Sequence, residues 1–152
     1  MVLGALDKEI YAFAYNDFLC NTQERALVLT KTDGRYRPFP NSIRHLIPRW
    51  WQYFNFPDVV ASLAPRHLIL TEGGMDRDFN LLRRSYKLSG HPENLELHHY
   101  AKFADDANRQ YIEQLPSDID RDTYFRLANV DPPSHYFKSE HIIPWLHRIF
   151  NQ

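Results

Sequence analysis

Cysteine is nearly missing from this chain: Cys20 is the single thiol among 152 residues. That excludes an internal disulfide framework and any Cys-x-x-Cys motif. An excess of charge is missing too, because 18 basic and 19 acidic side chains leave a formal net charge of −1. The basic pairs Arg83-Arg84 and Arg35/Arg37 are too small to make an electrostatic footprint for nucleic acid. No apolar run approaches the roughly 20 residues needed to cross a bilayer. Met1–Leu6 has no basic start and is too short for a signal peptide. The compartment therefore stays open, cytoplasmic or secreted according to what precedes Met1. Two chemical motifs are missing as well. There is no Gly-x-Ser-x-Gly nucleophile elbow and no His-Glu-x-x-His metal helix.

What is present is apolar and aromatic. With 43% hydrophobic and 14% aromatic residues, the chain can bury a core as one domain over 1–152, whole or part of a larger one. Residues 10–15, closed by Asn16-Asp17, predict a buried strand. Residues 67–72 predict a second strand, almost continuously apolar as in a parallel strand covered on both faces. Gly73-Gly74 ends it. Residues 95–100 alternate and predict a third. Helices are predicted over 21–30 (capped by Thr22), 42–46, 58–63, 79–88, 105–115, 120–128 and 140–150. Residues 1–7 look like the tail of another. Trp50, Trp51, Tyr53, Phe54 and Phe56 form a bulky cluster, suited to core, lid or pocket wall. Strands alternating with helices imply right-handed parallel crossovers. The expected fold class is α/β, with about three parallel strands and flanking helices. So narrow a sheet leaves two edges to protect.

One stretch carries chemical information. Asp131-Pro132-Pro133-Ser134-His135 sets a histidine on a proline-stiffened loop just before the last amphipathic helix. Such a histidine is held rigidly yet presented at a surface, as a general base must be. Asp76 follows the strand at 67–72, across Gly73-Gly74. In α/β sheets, functional residues lie beyond the carboxyl ends of strands. An acid and then a histidine, in that order, form the second half of a Ser–Asp–His triad. The acid would hold the imidazole tautomer, and the imidazole would take the nucleophile's proton. Plainer readings stand beside these. His135 could cap the last helix, and Asp76 could form a turn, with Asp78 and Glu72 nearby as competing carboxylates.

Other candidates carry less. His98 and His99 are neighbours in an alternating strand, so they point to opposite faces and cannot easily chelate one ion. His141 and His147 fall on different faces of a helix. No metal site and no cofactor is expected. Asp105-Asp106 suits the opening of a helix, where carboxylates complement the dipole. Cys20 lacks the geometry of a nucleophile elbow and reads as a buried structural residue. Ser134 is too close in sequence to His135 to pair with it productively.

The segment from Phe56 to Asp76, in which Ala64-Pro65-Arg66-His67 leads into an apolar strand, a glycine turn and an acid, resembles the α/β-hydrolase pattern. His135-Tyr136-Phe137 through Ile143-Pro144-Trp145-Leu146 resembles the histidine loop and last helix of the same group. The acetyl xylan esterase-like and dienelactone hydrolase-like members are the most similar. Residues 3–10 resemble the end of the helix that follows their nucleophile. The resemblance covers most of the chain but only the C-terminal half of the family fold. It implies Asp76 as triad acid, His135 as triad base, and a serine in Gly-x-Ser-x-Gly just upstream of residue 1. The substrate it implies is a carboxylic ester, a small molecule or an acylated carbohydrate. On this reading the chain alone has no turnover. The alternative is a non-catalytic, hydrolase-derived module. It would self-associate, as a dimer, or complete a partner chain through the open edge of the strand at 10–15. Neither nucleic acid nor membrane is an expected partner.

Overall fold

Three short parallel strands form the centre of the molecule, in the spatial order β1-β2-β3. The computed structural model describes residues 1–22, 24, 49–116 and 119–151. The helices expected at 21–30 and 42–46 lie outside the described residues, apart from the first positions of the former. In chain order the elements are α1 (Val2–Leu6), β1 (Ala12–Tyr15), α2 (Trp50–Tyr53), α3 (Phe56–Ala61), β2 (His67–Leu70), α4 (Asp76–Leu88), β3 (Leu95–Leu97), α5 (Arg121–Leu127) and α6 (Ser139–Phe150). The fold class is α/β, as the alternation of patterns implied.

β2 is the middle strand, pairing Ala12 of β1 with His67 and Leu95 of β3 with Leu68. Its position explains its composition. Leu68, Ile69 and Leu70 are all fully buried, because helices cover both faces. Side chains alternate between those faces. Leu68 and Leu70 join Phe13, Val60, Leu63, Phe79, Leu82 and Tyr86 beneath α3 and α4. Ile69 points the other way, to Trp145 and Ile149 of α6. The apolar stripes of both long helices follow i, i+3, i+7 spacing: Phe79, Leu82, Tyr86 in α4 and Ile142, Trp145, Ile149 in α6.

A second cluster sits beyond the carboxyl ends of the strands. Phe18, Cys20, Met75, Tyr100, Phe103, Tyr124, Phe125, Ala128 and Val130 pack together there. This cluster anchors the loops that build the site. Gly74 makes the approach possible: its φ is +142°, and a Cβ would lie 2.5 Å from the Leu19 carbonyl oxygen. Cys20 is buried within the cluster, in keeping with a structural thiol.

Three expectations change. α4 begins at Asp76 rather than at 79, so Asp76 and Asp78 occupy its first turn, where carboxylates offset the exposed N–H groups. Ladder structure in β3 stops at Leu97, although His98 still donates to the Leu70 carbonyl at 2.8 Å. The predicted helix at 105–115 is a single 3₁₀ turn, Asp106–Asn108, followed by extended chain. Side chains from elsewhere claim its backbone. Asn129 accepts from Gln110 N at 2.8 Å and donates to Gln110 O at 3.1 Å. Arg109 caps the carbonyls of Phe103 and Ala104. A continuous helix would forfeit these bonds.

Candidate active site

The site is built where β1, β2 and the segment after β3 all end. Glu72 lies two residues past β2, just before the Gly73-Gly74 turn, and its side chain is completely buried. A buried carboxylate must be hydrogen-bonded or paired to remain ionised. Glu72 is both. Its Oε2 accepts from His135 Nδ1 at 2.5 Å and from the Tyr100 hydroxyl at 3.2 Å. Its Oε1 accepts from Lys138 Nζ at 3.0 Å, Tyr136 N at 3.2 Å and Asn16 Nδ2 at 3.4 Å. Burial and the Glu72 charge push the Tyr100 phenol far above the ordinary tyrosine range, so Tyr100 stays a donor.

His135 follows a one-turn 3₁₀ segment, Pro132–Ser134. Ser134 Oγ donates to Asp131 within the same loop, which occupies that hydroxyl. Asn16 fastens the loop from β1, donating to Tyr136 O at 3.0 Å and accepting from Lys138 N at 2.9 Å. The imidazole itself is 57% exposed. A carboxylate oxygen accepts, so His135 Nδ1 is the donor to Glu72, which leaves Nε2 for another partner. The result is an imidazole with one nitrogen held and the other available.

The structure does not bring Asp76 to His135. The Asp76 carboxylate lies 3.6 Å from His99 Nε2 and 3.4 Å from Arg109 Nε. Asp78 pairs with Arg77 Nε at 3.2 Å, and burial pushes its carboxyl up to about 6. Neither forms a hydrogen bond or ion pair with His135. The carboxylate that does is Glu72, which the motif comparison passed over. One signal pointed to it: Glu72 is the acid at the carboxyl end of the apolar strand, on the side of the glycine turn that remains with the sheet.

Asp17, Glu72 and His135 place ligand atoms within 4.8 Å of one another. The Lys138 ammonium already supplies the cation that Glu72 requires, which favours an acid–base unit over a metal centre. His98 and His99 diverge as alternation demands. His98 stacks on His141 with ring centroids 4.0 Å apart and pairs with Glu96. His99 faces Asp76, and burial, reinforced by the Arg109 charge, pulls its imidazole down to about 4. Beside His135 lies a cavity of about 180 Å³, walled by Phe18, Phe125, Val130 and Pro132 with Tyr100 and Asp17 at its edge.

A histidine hydrogen-bonded to a buried carboxylate thus sits beyond the carboxyl ends of a parallel sheet in an α/β protein. The chain belongs to the Abhydrolase family, whose model matches residues 1–148. It is similar to a crystal structure of a candidate acetyl xylan esterase from Bacteroides fragilis, with 60% identity and a TM-score of 0.85. That match covers 97% of this chain and 38% of the other. A shorter stretch of 80 residues is 34% identical to the mitochondrial ubiquinone biosynthesis protein COQ4 homologs of Plasmodium vivax and Plasmodium knowlesi. It amounts to 53% of this chain and 20% of each relative. The chain thus spans well under half the length of the proteins it matches.

Proposed function

We propose that this chain carries the acid–base half of a carboxylic-ester hydrolase, with His135 as general base and Glu72 as its orienting acid. The observation that carries the reading is the 2.5 Å contact between a fully buried Glu72 carboxylate and a half-exposed His135 imidazole. The nucleophile and the oxyanion donors come from a segment bearing Gly-x-Ser-x-Gly, outside these residues. His135 Nε2 takes the serine proton as the oxygen attacks the acyl carbon, and returns it to the departing alcohol. Glu72 holds the tautomer and stabilises the imidazolium formed in between. The Bacteroides neighbour favours an acetylated carbohydrate as substrate.

Hydrolysis of p-nitrophenyl acetate tests the reading. The chain alone should stay at background. Mixed or co-expressed with a polypeptide carrying the Gly-x-Ser-x-Gly half, it should turn over, and His135→Ala should lower that rate by roughly 10³-fold or more. A complemented rate indifferent to His135→Ala would remove the histidine from the mechanism. A His135-dependent rate from the chain alone would remove the need for an outside nucleophile.

A further inference from the structure

Lys138 is an unusual presence in this site. Lysine is almost never buried unless paired, and only 6% of this side chain is exposed. Its three ammonium hydrogens have three acceptors: Glu72 Oε1 at 3.0 Å, Tyr136 O at 3.2 Å and Ser134 O. The two carbonyls flank His135 in sequence. The Tyr136 ring lies over the ammonium, with its centroid 3.4 Å from Nζ. One cation therefore grips the carboxylate that orients the imidazole and both peptide groups beside that imidazole.

We propose that Lys138 is a positioning residue of the hydrolytic site, which fixes the His135 loop and, by neutralising Glu72, sets the pH at which the imidazole becomes a free base. The proposal rests on the reading of His135 as the base. The charged groups facing His135 come from every side of it. Asp17 reaches it from the end of β1, Glu72 from the end of β2 and Lys138 from the start of α6. Tyr100, after β3, contributes a neutral phenol, and Asp131 is engaged by Ser134 on the same loop. The Glu72 carboxylate thus meets the imidazole on one oxygen and the ammonium on the other. Without the ammonium, proton uptake by the Glu72–His135 unit is no longer opposed by a neighbouring positive charge, whichever partner holds the proton. The base would then be blocked to a higher pH.

NMR titration of the His135 ring in the 152-residue chain reads this directly. In Lys138→Met the midpoint should rise by about one unit, a partly exposed imidazole being screened from the full interaction. Lys138→Arg, which keeps the charge, should recover at least half of that shift. Glu72→Gln/Lys138→Met, which removes both charges, should bring the midpoint back toward the wild-type value. In the complemented enzyme, Lys138→Met should move the acid limb of kcat/KM upward to match, with KM little changed. A folded Lys138→Met chain whose midpoint stays within about 0.3 unit of wild type overturns the proposal. If Lys138→Met unfolds while the double variant folds, the bared carboxylate is the cause and the proposal stands. If both unfold, Lys138 is a packing residue and the proposal falls. The titration needs no turnover, so an inactive complemented enzyme would sink the esterase reading and leave the titration result standing.

Discussion

Glu72 accepts five hydrogen bonds from three different parts of the chain, and that accounts for its tolerance of complete burial. Replacing it by glutamine keeps the shape but removes the charge on which His135 and Lys138 depend. In the complemented enzyme, Glu72→Gln should lower kcat by roughly 10⁴-fold, the scale of losing a triad acid's charge. Asp76→Asn should lower it far less, because Asp76 faces Arg109 and His99. A larger loss from Asp76→Asn than from Glu72→Gln would return the acid to Asp76. Titratable groups also shape stability. Asp78 is raised from 3.8 to about 6 by burial, against the pull of Arg77. Between those values the folded state holds a proton that the unfolded state lacks. Its stabilisation is therefore full below about pH 4 and lost as pH rises through 6. His99, lowered from 6.5 to about 4, acts in the opposite sense: its contribution is present above 6.5 and lost as pH falls. The two slopes oppose each other across the same window. Asp78→Asn should expose the histidine's slope, gaining stability relative to wild type as pH rises from 4 to 6. Urea midpoints at several pH values in that window check it, and a parallel pair of curves would contradict it.

Among the elements, one side chain ties the end of α1 to the segment entering β1 and to the start of β2. Arg66 donates to the carbonyls of Gly4 at 2.6 Å, Asp7 at 2.8 Å and Ile10 at 3.1 Å, and its guanidinium lies over Phe13. It satisfies the carboxyl end of α1, which lacks a longer helix's own bonds. Arg66→Met should destabilise the chain by about 1–2 kcal/mol, since a charged donor to three exposed or partly buried carbonyls is lost. Chemical denaturation would show this, and a loss below about 0.5 kcal/mol would refute it. Elements were unevenly legible. β2 could be read because a strand covered on both faces leaves a continuous apolar run. α6 could be read from its i, i+3, i+7 stripe, despite Pro144 within it. The segment at 105–115 could not, because its fate depends on Asn129, nineteen residues beyond Gln110, and on Arg109 reaching back. Local pattern carries no trace of bonds made at that range.

At the scale of the molecule, β1 is an edge. It pairs with β2 on one side, and among the described residues no other strand pairs with it. Exposed apolar groups gather nearby, including Leu3, Leu6, Tyr11 and Phe150. A parallel edge left unpaired by the described residues and flanked by apolar surface invites pairing with another chain. Light scattering of the isolated chain should show dimers or larger species, and a monomer at micromolar concentration would argue against association through this edge. The complementing half should suppress that association if both compete for the same edge.

Sequence by itself determined the three strands, the parallel sheet and the histidine before the last helix. Those features are written in local hydrophobic period and in proline and glycine placement, which act over a few residues. It also pointed to the carboxylates of a short stretch around the Gly73-Gly74 turn. Only the tertiary structure shows which of them meets His135. The turn leaves Glu72 with the sheet and carries Asp76 into a helix, and the two side chains then meet partners 63 and 33 residues away, His135 and Arg109. Lys138 was invisible for the same reason, because a lysine before a helix is ordinary until the fold closes over it. Which charge meets which is settled by where the chain returns, and that is a property of the whole fold.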